Sequence, residues 1–168
     1  MSDAALIVNG WAIYAHPLLL DALEGFVAEV EAARTKDPDG YRKKRSAKLL
    51  AAALKLAFEL IPADPARTEY RQGDTLGGGH RHRFRVKFRQ QYRLAVRYRD
   101  ADGRKMIVLA WVNDEQTLRA YGSRTDAYTV FRKMLRSGNP PDDWAGLLKE
   151  ASDAAARLRL GGVRSSRT

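Results

Sequence analysis

Apolar residues between Phe84 and Tyr98 recur with period two, the spacing of a half-buried strand. Phe84, Val86 and Phe88 fall on one side, with Arg83, Arg85 and Lys87 on the other. Tyr92, Leu94, Val96 and Tyr98 repeat the pattern against Arg93, Ala95 and Arg97. Arg89-Gln90-Gln91 is short enough to join the two as a hairpin, although it lacks the glycine such loops favour. The alternation predicts a ribbon with an apolar face for the core and a guanidinium-rich face for an anionic ligand.

Upstream, Leu6 to Ala15 reads as an opening strand interrupted by Asn9-Gly10, and His16-Pro17 ends it. His16 is expected to order this strand–helix turn. Leu19, Leu23, Phe26, Val27 and Val30 form a helical stripe within 18–35. Asp37-Pro-Asp-Gly40 is a turn signature, and a second helix is expected over Tyr41–Ile61, opening on the basic run Arg42–Arg45. Pro62 and Pro65 end it, and a glycine-rich tether, 70–79, leads into the basic hairpin.

Beyond the hairpin, Asp100-Ala-Asp-Gly103 is a turn, and Lys105–Val112 is a strand apolar on both faces, as in mid-sheet. A short helical segment over Gln116–Tyr121 is followed by a helix over Asp126–Arg136, with Thr125 as its N-cap. A final helix is expected over Trp144–Leu158, and disorder over the last residues, GGVRSSRT. The order predicts an α+β domain over 1–150: an antiparallel sheet of about four strands packed against helices, its cationic face open. Residues 151–168 are left as the end of a helix and a flexible basic tail.

Charge sharpens this picture. The chain carries +10 overall, but residues 1–40 hold 2 basic and 7 acidic residues, while 41–100 hold 16 basic and 5 acidic. Residues 81–99 contain eight Lys/Arg and no acid. A localised excess of this kind marks a nucleic-acid surface better than a solvated face, on which signs usually mix. There is no cysteine, which removes disulfides, thiolate nucleophiles and cysteine zinc sites together. No carboxylate cluster or His/Asp spacing suggests a metal, so metal-independent chemistry without a cofactor is expected. The absence of cysteine fits the cytoplasm; the N-terminus lacks the basic region of a signal peptide and no apolar run reaches membrane length, so a cytoplasmic protein without a membrane partner is expected.

Several long segments, in order, carry a resemblance: VNGWAIYAHP at 8–17, AKLLAA at 47–52, YRQGDTLGGG at 70–79 and RVKFRQQYRLAVRY at 85–98. AWVNDEQTLRAYGSRTDAYTVFRKML at 110–135 and GNPPDDW at 138–144 complete it. Over about residues 8–150 the chain closely resembles the YhaV toxins of bacterial PrlF–YhaV toxin–antitoxin pairs, a branch of the RelE/ParE superfamily. The resemblance implies a RelE-like endoribonuclease that cleaves mRNA in connection with ribosomes. It also implies a PrlF-type antitoxin that neutralises the toxin and brings operator DNA to the complex. RelE-like sites are sets of Lys, Arg and Tyr on the middle strands and near the terminal helix. By position these map to Arg85, Lys87, Arg93 and Tyr121; where RelE has a basic segment after the last strand, this chain has Asn113-Asp114-Glu115.

Within that implied reaction, planar guanidinium groups suit phosphorane stabilisation, the role given to Arg85 and Arg93. Lys87 is a general acid or base, or a phosphate contact. Tyr121 stacks on a base or donates a proton. Arg83, Arg97 and His82 are assigned to RNA binding, and His80 stands beside them in the tether. Two other readings remain open: a non-catalytic ParE-like topoisomerase inhibitor, and a basic nucleic-acid-binding corepressor.

Overall fold

The computed structural model describes residues 5–67, 70, 84–120 and 123–166. A five-stranded sheet runs through it in the order β1 (Leu6–Val8), β2 (Trp11–Ala15), β5 (Arg104–Val112), β4 (Tyr92–Ala101) and β3 (Phe84–Phe88). The fold is α+β, as expected, with two differences in the sheet. The opening segment is a two-strand hairpin, not one interrupted strand, because Asn9 and Gly10 both take positive φ and close a tight turn. The sheet is also mixed: β2 pairs parallel to β5, while every other pair is antiparallel. A parallel pairing leaves no local trace in sequence, since β2 and β5 are joined only after the intervening helices have crossed over.

Helix α1 (Pro17–Lys36) starts where expected, and His16 builds the turn. Its Nδ1 accepts the Leu18 N–H at 3.1 Å, which leaves the proton on Nε2 to donate to Glu150 Oε1 at 2.8 Å. The second helix is not the continuous rod predicted over Tyr41–Ile61. Tyr41–Lys43 forms a 3₁₀ turn, Lys44 is extended, and α2 (Arg45–Lys55) continues through a π turn, Leu56–Leu60, into the single turn α3 (Ile61–Ala63). Pro62 has no N–H for the carbonyl one turn earlier, and the widened turn lets Leu56, Ala57, Phe58 and Ile61 all reach the core.

One sheet face carries Ile13, Leu94, Val96, Ile107 and Leu109 against α1, α2 and α6 (Ala154–Ser165). Helix α6 is a further difference: the predicted Trp144–Leu158 helix is two helices, with α5 spanning Trp144–Ala151. The tail expected to be disordered is helical as far as Ser165. Val163 enters the core with Ala156 and Leu160, and Arg159 clamps α6 to α1 through Asp21 and Glu24 at 2.6 and 2.7 Å. Spacing of small and charged residues concealed an amphipathic helix whose apolar side only the sheet reveals.

The opposite face was expected to be open. Its centre is instead a second core, Ala95, Val108, Ala110 and Trp111, under α4 (Ala127–Ser137) and α5. A bulge opposite Ala95/Val96 turns both Ala110 and Trp111 to this side, where Trp111 stacks on Phe131 at 4.9 Å between ring centroids. The basic residues are therefore left at the rim of this layer. No helix among the described residues is long and apolar enough to cross a membrane.

Candidate active site

Register fixes which cations meet. Lys87 lies opposite Arg93, and Arg85 opposite Ala95, so Arg85, Lys87 and Arg93 share the face bordered by α4. Lys87 is exposed, whereas Arg85 and Arg93 are half-buried. Ala95 across the ladder is small, which leaves Arg85 space to reach sideways to the helix layer.

What Arg85 reaches is Tyr128, in the first turn of α4. Arg85 Nη1 donates to the Tyr128 hydroxyl at 2.9 Å, and its guanidinium carbon lies 5.6 Å from the ring centroid. Arg85 Nε is buried without a hydrogen-bond partner among the described residues. Because the Tyr128 oxygen accepts this bond, its own O–H proton is left to donate elsewhere. A second guanidinium, that of Arg119, lies 4.5 Å from the same ring centroid.

Asp126 organises this cluster. It, not Thr125, is the N-cap of α4, and its Oδ2 accepts the Tyr128 N–H at 3.1 Å. Its Oδ1 pairs with Arg119 Nη1 and accepts the Ala120 N–H at 2.6 Å. Burial alone would push this carboxyl up. The Arg119 hydrogen bond, the two backbone N–H groups and the Arg119 charge together outweigh burial and hold it below the ordinary carboxylate range. One buried carboxylate thus caps the helix bearing Tyr128 and holds the cation that lies on the Tyr128 ring.

Arg93 is held at the hairpin tip. Its Nη1 donates to the Gln90 and Tyr92 carbonyls at 2.6 and 2.9 Å, and its backbone N–H donates to Asn113 Oδ1 at 2.8 Å. Arg89 and Gln90 both carry positive φ without being glycine, which explains how a loop with none still closes the hairpin. This strain is opposed locally. Asn113, fully buried, donates to the Gln91 and Thr117 carbonyls at 3.0 and 2.8 Å, and the Arg119 N–H reaches the Gln91 carbonyl at 3.0 Å. Asn113, the first residue of the non-basic segment after the last strand, is therefore a scaffold for the tip that carries Arg93.

Of the other expected site residues, Arg97 is on the same face further along β4, where its Nη1 donates to the Asp142 carbonyl at 2.8 Å. Tyr121, Arg83, His82 and His80 lie outside the described residues. The pattern of the sequence does not single out Tyr128, Arg119 or Asp126 for the site. Nothing in the spacing shows that Tyr128 faces the hairpin or that Asp126 caps its helix. Among the described residues no group of three or more His, Cys, Asp or Glu is placed to hold a metal. The chemistry available here is phosphate recognition by guanidinium groups beside one positioned phenol and one exposed amine.

Residues 13–152 match a family described as a toxin with endonuclease activity, of a toxin–antitoxin system. The chain is 48% identical over 149 residues, 88% of its length and 96% of the relative's, to the toxin YhaV of Escherichia coli O6:H1. It is 47% identical over 148 residues, 87% of its length and 95% of the relative's, to the ribonuclease toxin YhaV of Escherichia coli K12. No solved structure is a significant match.

Proposed function

The chain belongs to the YhaV family of toxins with endonuclease activity, and from that premise we propose that it is a metal-independent endoribonuclease acting on mRNA in the cytoplasm. The observation that carries this reading is the juxtaposition of Arg85, Lys87 and Arg93 on one sheet face, with Arg85 hydrogen-bonded to the Tyr128 hydroxyl. RNA brings its own nucleophile, the 2′-OH beside the scissile phosphate. The protein must align it, accept its proton, stabilise the phosphorane and protonate the leaving 5′-oxygen.

Arg85 and Arg93 hold the non-bridging oxygens, a task suited to forked donors that remain charged. Lys87, opposite Arg93 and open to solvent, moves a proton or binds the adjoining phosphate. Tyr128, whose proton points away from the bond it accepts, donates to an oxygen of the reacting group. Cleavage this way leaves a 2′,3′-cyclic phosphate and a 5′-hydroxyl. The test is to incubate the purified protein with RNA in EDTA, with and without ribosomes. Cyclic-phosphate ends in EDTA support the reading, and the ribosome arm shows whether cleavage needs translation. Intact RNA in both arms, with a topoisomerase inhibited instead, overturns it.

A PrlF-type antitoxin is proposed to neutralise the toxin by placing acidic side chains against Arg85, Arg93 and Arg97, and to carry the complex to operator DNA. Such a complex forms by electrostatic steering, so its association rate falls steeply with salt. Arg93→Glu with Arg97→Glu should weaken antitoxin binding strongly. Unchanged affinity and salt dependence would place the antitoxin on the helices.

A further inference from the structure

The cationic row on β4 continues past Arg93. Arg97 and Arg99 follow on the same face, and at about 3.3 Å per residue they carry the row roughly 13 and 20 Å from Arg93. Both lie against one aromatic ring: their guanidinium carbons are 5.5 and 4.8 Å from the centroid of Trp144. Trp144 opens α5, and the α5 N-cap, Asp143, directs its carboxylate at the Gly146 N–H at 2.7 Å. Arg97 is anchored from beneath by the Asp142 carbonyl. Arg99 is exposed, and no carboxylate among the described residues pairs with it.

A guanidinium laid on an indole keeps its charge and its edge N–H donors, and the ring partly desolvates its face. The outer plane of the exposed Arg99 guanidinium gives a base a surface to stack on, with the half-buried indole beneath it. This combination of a π surface and fixed cations is the one that single-stranded nucleic acid uses without base selection. Its position is informative too, because it lies on the strand that carries Arg93 and continues the same row.

We propose that Trp144, Arg97 and Arg99 form a second RNA-binding subsite, which takes a base and its phosphate several nucleotides from the cleaved bond. The proposal rests on the ribonuclease reading above. It makes the toxin grip a length of single-stranded RNA, and it gives the N-terminus of α5 a role besides packing. A clasp that merely pins α5 to β4 would show the same contacts, so the test must read RNA and not stability.

The full chain is titrated with two non-cleavable 2′-O-methyl RNA oligomers: a short one that fills only the Arg85–Arg93 region, and one long enough to reach Arg99. Arg99→Ala, at an exposed position, should weaken the long oligomer about tenfold and leave the short one unchanged. The salt slope for the long oligomer should drop by about one, as one phosphate contact is lost. The long oligomer should also quench tryptophan fluorescence in the parent protein but not in Trp144→Phe, which retains Trp11 and Trp111. Unchanged affinity and salt slope in Arg99→Ala, while the parent still binds and cleaves RNA, would reduce the cluster to a structural clasp. Unchanged RNA affinity with weakened antitoxin binding would reassign it to a protein partner. A parent protein that neither binds nor cleaves RNA would bring down the ribonuclease reading, and this subsite with it.

Discussion

The two faces of the central sheet are made by the same strands, yet one is sealed and the other is rimmed with charge. On the first, Tyr92, Leu94 and Val96 of β4 join α1, α2 and α6 in a continuous apolar layer. On the second, only Ala95 of β4 is buried with the α4–α5 layer, and Arg93, Arg97 and Arg99 flank it. Helices α4 and α5 are too short to cover the whole face, so the arginines border the helix layer and contact it from the side. This protein does not display its cations on a bare strand. It braces Arg85 against Tyr128, and Arg97 and Arg99 against Trp144, while Lys87 is exposed. Braced donors suit catalysis, because they lose little freedom when phosphate arrives.

The sealed side is where a substitution costs the most stability. Phe58→Ala removes a ring that is 2% exposed and should cost about 3–5 kcal/mol of stability, measured by denaturant unfolding. RNA cleavage per folded molecule should survive it.

On the rim the effects reverse. Arg85→Ala should lower cleavage by about 10²–10³-fold, the scale for losing one preorganised donor, and abolish growth inhibition with the circular dichroism spectrum kept. Full toxicity in this variant would remove Arg85 from the site. Tyr128→Phe sharpens the point, since it keeps the ring under Arg119 and deletes only the hydroxyl that Arg85 reaches. A drop in kcat of about tenfold or more with little change in thermal stability is expected, on the scale of a hydrogen bond to a charged group. An unchanged kcat would leave Tyr128 as packing alone.

The smallest effect belongs to the support beneath the site. Asp126→Asn retains a capping oxygen but loses the charge facing Arg119, and should cost about 1 kcal/mol of stability at neutral pH. The sign with pH follows from the lowered carboxyl. Because the folded group titrates below the unfolded one, its contribution is complete above about pH 4 and disappears as pH falls through the folded value. Denaturation curves taken across the acid range should therefore converge for the parent and Asp126→Asn. A constant gap down to the lowest pH would mean that Asp126 is not the titrating group.

The parts that rest on local physics are legible along the chain. The alternation over Phe84–Tyr98 placed Arg85, Lys87 and Arg93 together on one face, because period two admits no other arrangement of a strand pair in that register. The His16-Pro17 turn, the Asp100–Gly103 turn and the α+β class were legible for the same reason, as were the quoted segments that marked the family. Tertiary structure decided what depends on partners distant in the chain. It set β2 parallel to β5, laid α4 and α5 over a face that pattern alone left bare, and drew residues 161–165 into a helix whose Val163 packs into the core. It also brought Tyr128 to Arg85, 43 residues away, and Trp144 to Arg97 and Arg99. A side chain's own spacing tells which face it takes on its element; which partner fills the space beyond that face is settled only when the elements pack.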